Sequence, residues 1–332
     1  MQQLTTRCLI EYYLSYSMSA IVTVTFSPCI DKSTSIHALI PEKKLRCALP
    51  KLEPGGGGIN VARAIKKLGG VATAIFSSGG YTGKFFNHLM AMENIPAIII
   101  ETNNETRENI IVLDDSTNNQ YRFGMPGTPL SENEWQQFLI AVEAIPAVEF
   151  LIASGSLPPG VPLNIYAQLA KIAKKMNAKF IVDTSGEALE QAVAEGVYLL
   201  KPNLGELAAL AGKPSLMEQE AKDIARTIIA KGKCEAMVIS MGAQGAMLVT
   251  DTIAEIITPP VVERKSTVGA GDSMLAGIVF YLSQGKSLQK AVQYGVACGT
   301  AATMNTGTEL CRKEDADKLV TLLKITDQSI KS

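Results

Sequence analysis

Gly269-Ala270-Gly271-Asp272 places one carboxylate behind a loop almost free of side chains, and the apolar run MLAGIVFYL follows at once. Such a loop at the mouth of a helix presents backbone N–H groups, which attract anions. A carboxylate there is repelled by a bound anion unless it acts on that anion's neighbour. The pattern suits phosphoryl transfer. N–H groups of Gly269, Ala270 and Gly271 would stabilise charge on the moving group, and Asp272 would take the proton of the attacking hydroxyl. The competing reading is that Asp272 caps the helix, which Asp does well.

Gly55-Gly56-Gly57-Gly58 opens a second helical stretch, INVARAIKKL. Four glycines are entropically costly, so they favour close approach of a ligand over a plain flexible turn. No dinucleotide fingerprint fits, because the sixth position is Asn60 or Val61. Nor is there a Walker A loop: Phe280 stands five before Gly285-Lys286-Ser287. Asn203 and Glu206 lie three apart on one helix face and offer oxygens for Mg²⁺ held mostly through water. Read alone, that pair is a helix start with an N-cap and an acidic first turn. SGSLPPG (154–160) and VISMGAQG (238–245) are two further glycine-bearing turns, each following an apolar run.

The elements that must hold these groups alternate. Apolar runs at 21–26, 71–76, 97–100, 150–154, 179–183, 197–201 and 236–240 are separated by helical patterns such as LNIYAQLAKIAKKM. This implies a mainly parallel sheet covered on both faces, in one domain over 18–330. Residues from Gly271 to about Leu323 read as three helices. Two segments break the rhythm, 32–53 and 104–125. They are expected to form a small accessory sheet, as a lid beyond the carboxyl ends of the strands; an ordinary hairpin insertion is the alternative.

Composition narrows the class. Of 332 residues, 47% are hydrophobic, ample for a core, and the net charge of −1 argues against a nucleic-acid binder. The cysteines (Cys8, Cys29, Cys47, Cys234, Cys298, Cys311) show no C-x-x-C spacing, so buried thiols in a reducing cytosol are expected rather than a zinc site. No apolar run is long enough for a membrane span, and a cytoplasmic protein is expected. Residues 1–17 make a poor signal peptide and are read as an extension or a misassigned start.

From residue 20 onward, GGGGINVARA, SGSLPPG, KPNLGE, SMGAQGA and STVGAGDSM together resemble the PfkB, ribokinase-like carbohydrate kinase family. PEKKLRCALPKLEP, QYRFGMPG and VDTSGEAL are most similar to members that phosphorylate fructose 6-phosphate. The resemblance implies an α/β/α sandwich with a β-sheet lid, ATP and Mg²⁺ as partners, and a homodimer packed lid on lid. It implies Asp272 as base and Gly269 to Gly271 as anion hole. It places Asp31, Gly56, Gly57 and Asn60 on the sugar, Arg107 on its phosphate, and Lys44 and Ser156 as helpers. Lys201, Asn203, Ser240, Gly242 and Gly245 would line the ATP side, with Glu206 near the metal. Ser266 and Val268 would form a monovalent-cation loop for K⁺. Glu309 stands where the family suggests a basic residue. Kinases for tagatose 6-phosphate or fructose 1-phosphate tend to read G-K-G where this chain has Gly56-Gly57-Gly58, so fructose 6-phosphate is the expected acceptor and those two sugars the alternatives. A sugar-phosphate sensor on the same fold is the non-enzymatic reading, and the intact Asp272 argues against it.

Overall fold

The computed structural model describes residues 20–327; the extension read over 1–17, and Cys8 with it, lie outside them. The strands are β1 (Ile21–Thr25), β2 (Cys29–Ile36), β3 (Lys51–Gly55), β4 (Thr73–Gly79), β5 (Ala97–Thr102), β6 (Arg107–Asp114) and β7 (Asn119–Phe123). They continue with β8 (Phe150–Ser154), β9 (Lys179–Asp183), β10 (Val197–Leu200), β11 (Cys234–Ser240), β12 (Ala246–Val249), β13 (Ala254–Thr258) and β14 (Lys324–Asp327). The helices that bear on the site are α1 (Gly57–Lys67), α2 (Gly80–Met92), α3 (Glu132–Glu143), α4 (Ile165–Lys175), α5 (Gly186–Glu195) and α6 (Leu204–Leu210). After them come α7 (Glu218–Ala230), α8 (Ala270–Ser283), α9 (Leu288–Thr303) and α10 (Lys313–Leu319).

The large sheet runs β14-β13-β12-β11-β10-β9-β8-β1-β4-β5, parallel from β11 to β5 and antiparallel from β11 to β14. Period two along each strand splits the core. On β8, Phe150 and Ile152 pack with α1, α8 and α9, while Leu151 and Ala153 pack with α3, α4 and α5 on the other face. The chain leaves β1 towards β4 and β5, then returns to pair β8 on β1's other side. That reversal opens a crevice at the carboxyl ends of β1 and β8. The three antiparallel strands at the far edge were not legible as strands. β12 and β13 are short, and β14 follows a helix in a polar stretch.

The accessory sheet is present, ordered β3-β2-β6-β7. Its strands occupy less than the expected spans: residues 38–50, between β2 and β3, carry no strand. One face carries Ile110, Val112, Tyr121 and Phe123, where Ile110 pairs Phe123 and Val112 pairs Tyr121 across β6 and β7. Of these only Val112 is buried. The opposite face carries Arg107, Asn109 and Ile111, with Arg122 opposite Ile111.

A buried charge network ties this sheet to the body. Arg63 of α1 is 2% exposed; it donates to Glu53 Oε1 of β3 at 3.0 Å, to Glu93 at 2.8 Å and to the Pro54 carbonyl at 2.9 Å. Thr308 donates to the other Glu53 oxygen at 2.6 Å. Burial raises the proton affinity of Glu53, but Thr308 and Arg63 outweigh it and hold the carboxyl below its usual range. Arg63→Met keeps most of the buried volume and leaves Glu53 Oε1 without its partner. It should cost about 3 kcal/mol, seen as a lower urea midpoint at unchanged slope. A loss below about 0.5 kcal/mol would show that the network does not hold β3 to α1.

Candidate active site

The glycine run turns the chain from β3 into α1 directly over the crevice. A Cβ on Gly57 would come within 2.2 Å of Ser154 Oγ at the end of β8, and Gly56 holds a φ of +113°. Close approach to the strand ends, more than exposure of N–H groups, is thus what demands glycine there. The turn delivers Asn60 in the first turns of α1. With Cys29, Asp31, Gly56, Arg107, Asn109, Arg122 and Val268, Asn60 lines a cavity of about 270 Å³ beneath the accessory sheet.

Two arginines make one side of this cavity cationic. Arg107 donates to the Met125 carbonyl at 2.8 Å and to the Ser27 carbonyl at 3.0 Å, while its Nε–H is buried with no partner among the described residues. Arg122 donates to Thr267 and Gln120 to Ser266, so β7 is latched to the loop that leads into α8. Asp31 is 7% exposed, and burial raises its carboxyl above the ordinary value against hydrogen bonds from Asn109 and Cys29.

α8 begins two residues beyond Val268, which lines the cavity. Its N-cap is Gly269, with a φ of +73° and no side chain to offer, so no side-chain cap occupies the helix mouth. Asp272 does not cap the helix: its Oδ2 accepts from Asn60 Nδ2 at 2.9 Å. Burial pushes the Asp272 carboxyl up to about 7, and Asp183 adds to the rise; Asn60 and Lys201 oppose it.

The other half of the site lies at the carboxyl ends of β9, β10 and β11. Lys201 is buried and pairs with Asp183 at 3.1 Å. Burial pulls the Lys201 ammonium down, but Asp183 outweighs that and keeps its affinity for the proton above the usual value. Its Nζ would lie 3.5 Å from a Cβ on Gly271, beside the α8 mouth. Asn203 bridges to Ser240, whose N–H donates to the Pro202 carbonyl at 2.9 Å. Gly242 opens the turn after β11, and Gly245 closes it with a φ of +94°.

The structure brings together Asp31, Gly56, Asn60, Arg107 and Val268, and places Gly57 and Asp272 beside them. It does not bring in Lys44 or Ser156: both are exposed and neither lines the cavity. Asn203 and Glu206 form a reciprocal capping box at the start of α6, each accepting the other's N–H at 2.9 Å. One Glu206 oxygen is therefore committed to the helix. Among the described residues no three acidic, His or Cys groups converge as a metal cage. The Glu206 oxygen left free by the capping box suits Mg²⁺ bound mainly by water and phosphate oxygens. The Ser266 hydroxyl donates to the Gly307 carbonyl at 2.7 Å and accepts from Val268 N–H at 3.1 Å. A monovalent cation at this loop would thus rely on backbone oxygens. Glu309 pairs with Arg312 at 2.8 Å. Cys47 is exposed, a correction to the expectation of buried thiols, because 38–50 covers nothing apolar around it; Cys29, Cys234, Cys298 and Cys311 are buried.

Sequence reasoning missed Asp183, Asn109 and Arg122. Asp183 ends a strand and could have been found by asking which acid faces Lys201. The other two depend on strand register, which composition does not reveal.

A carboxylate raised toward neutrality, a helix mouth free of caps and a cationic cavity under a small sheet are together suited to phosphoryl transfer on an α/β/α sandwich. The chain belongs to the pfkB family of carbohydrate kinases, whose profile matches residues 24–315. It is 45% identical over 307 residues to the ATP-dependent 6-phosphofructokinase isozyme 2 of Escherichia coli K12, covering 92% of this chain and 99% of that protein. The crystal structure of E. coli phosphofructokinase-2 with fructose-6-phosphate matches at TM-score 0.87 and 43% identity, over 92% and 99% of the two chains. The same enzyme in complex with potassium matches at TM-score 0.88 and 44% identity, over the same shares. No helix among the described residues is long and apolar enough to cross a membrane.

The raised Asp272 carboxyl has a consequence for stability. Its folded value near 7 exceeds the ordinary 3.8. The folded state therefore holds this proton more tightly, and stability falls as pH rises from about 4 to about 7. Asp272→Asn lacks that penalty. The melting-temperature gain of the variant over wild type should be small at pH 4.5 and larger at pH 8. A gain that does not grow with pH would show that Asp272 is not held against its charge.

Proposed function

We propose that this chain transfers the γ-phosphoryl group of ATP to the 1-hydroxyl of fructose 6-phosphate, giving fructose 1,6-bisphosphate. The observation that carries the reading is the place of Asp272. It is hydrogen-bonded to Asn60 of the cationic cavity and stands at the uncapped mouth of α8, with Lys201 on its other side. The acceptor hydroxyl would approach Asp272 from the cavity, and the terminal phosphate would approach from the β9–β11 side.

Each residue then has a task. Asp31 and Asn60 orient sugar hydroxyls. Arg107, helped by Arg122, holds the sugar phosphate, offsetting its repulsion from the nucleotide. N–H groups of Ala270 and Gly271 receive charge on the phosphoryl oxygens. Asp272 takes the proton of the hydroxyl, for which a value near 7 is well matched. Asn203, Ser240, Gly242 and Gly245 flank the nucleotide. Glu206, through its free oxygen, would help to hold Mg²⁺, which would neutralise phosphate charge, and the Ser266–Val268 loop would hold K⁺.

Three features support fructose 6-phosphate as acceptor. Gly56-Gly57-Gly58 adds no lysine beside Asp31. The cavity's cations come from the accessory sheet. The 45%-identical relative carries the name of a 6-phosphofructokinase. In a coupled assay over a panel of hexose phosphates, kcat/KM should be highest for fructose 6-phosphate. Asp272→Asn should lower kcat by about 10²- to 10⁴-fold. Arg107→Ala should raise the acceptor KM well beyond any change in the ATP KM. A preference for tagatose 6-phosphate or fructose 1-phosphate would overturn the substrate assignment. Near-normal turnover by the Asp272 variant would overturn the mechanism.

The exposed apolar face of the lid also needs a partner. Ile110, Tyr121 and Phe123 are each more than a third exposed on one face of a two-strand pair. Such a face is unfavourable bare in water. A second copy covering it makes a homodimer, lid on lid. Light scattering at assay concentration should give the dimer mass, and Phe123→Glu should shift it to the monomer. A monomer in the wild type would refute this packing.

A further inference from the structure

Asn109 sits in the cavity, yet every polar atom it carries is already engaged by the protein. Its Oδ1 accepts from Met125 N–H at 3.1 Å, and its Nδ2 donates to Asp31 Oδ1 at 3.0 Å and to Cys29 Sγ at 3.1 Å. Met125 N–H can only donate, so the amide oxygen must face it and the NH₂ must face Asp31. Both N–H donors are then used, leaving nothing on the amide to donate to a sugar.

Asp31 is the beneficiary. It stands directly across the β2–β6 ladder from Asn109, and its Oδ1 also accepts from Cys29 Sγ at 3.3 Å. Its Oδ2 has no hydrogen-bond partner among the described residues. That oxygen lies against Gly55, where a Cβ would come within 2.2 Å of it. A carboxylate's terminal torsion is broad when nothing holds it. Here two donors pin one oxygen and glycine leaves room for the other, on a side chain that is itself one of those lining the cavity.

We infer that Asn109 is the positioning residue for Asp31: it fixes the carboxylate so that its second oxygen is presented to an acceptor-sugar hydroxyl. The inference rests on the proposed reading of the cavity as the acceptor site. Burial raises the Asp31 carboxyl, and the Asn109 hydrogen bond is the largest influence opposing that rise, so the same contact also favours the ionised, accepting form. Asn109 has a second attachment, because Arg107 holds the carbonyl of the same Met125 whose N–H it binds. An experiment must separate the Asp31 arm from the Met125 arm.

A double-mutant cycle with Asp31 does so. Asn109→Ala removes both arms and adds no charge, and only its Asp31 arm can depend on Asp31. Kinetics are read on whichever hexose phosphate the wild type phosphorylates best, with calorimetric binding of the same sugar as a second readout. Asn109→Ala should raise the acceptor KM about tenfold or more while changing the ATP KM less than about twofold. In an Asp31→Ala background the same substitution should cost clearly less, because only the Met125 arm remains to be lost. Matching thermal midpoints confirm folding; if Asn109→Ala does not fold, Asn109→Ser enters the same cycle. Equal effects in the two backgrounds, or an unchanged acceptor KM, would overturn the inference while leaving the kinase reading intact. A wild type that phosphorylates no hexose phosphate would overturn the reading and the inference with it.

Discussion

A carboxylate that must gather protons near neutral pH has to be withdrawn from much of the water and kept near other negative charge. Asp272, half-buried and beside two other carboxylates, meets both conditions. It stands at the start of a helix whose following residues, Ser273 to Phe280, are all buried, and Asp183 and Asp31 both push its affinity for the proton upward. Lys201 and Asn60 limit the rise, so the group settles near 7 rather than far above it. The balance is local. Lys201 is itself held by Asp183, so the cation that moderates Asp272 is anchored by the anion that raises it.

The fold brings these groups to one place through a reversal of strand order. β1 lies between β4 and β8, and the crevice above the ends of β1 and β8 receives the glycine turn that carries Asn60. β9 and β10, next in the sheet, end in Asp183 and lead into Lys201. The accessory sheet then covers the crevice. Its β3 is bound to α1 through Glu53 and Arg63, and its β7 to the α8 approach through Gln120 and Arg122. A sheet held at both ends in this way covers the cavity, which suits the proposed reaction, where water must be kept from the transferring group.

Much of this was legible before any coordinates. The alternation of apolar runs and helical patterns located the seven parallel strands of the large sheet among the described residues to within a few residues. The GAGD segment announced a helix mouth with an acid, and the two polar-apolar inserts announced the accessory sheet. What stayed hidden depends on register and on distance in the chain. Asn109 is meaningful only because β2 and β6 pair Asp31 opposite it. Arg122 counts only because β7 brings it over Thr267, 145 residues away. The four glycines read as a place for close approach of a ligand, whereas the structure shows that Gly57 is required by its contact with Ser154. Lys44 looked like a site residue by motif, yet it lies on the exposed connection between β2 and β3.

The central claim is that neighbouring charge, together with burial, sets the proton affinity of Asp272. The most direct test compares the pH dependence of kcat/KM in the wild type and in Asp183→Asn, with identical substrates, so that their own titrations cancel. The wild type should lose activity as pH falls through about 7. The variant's limb should move to lower pH, because removing the Asp183 charge makes Asp272 easier to ionise. An acid limb that stays in place in the variant, or moves upward, would contradict the account.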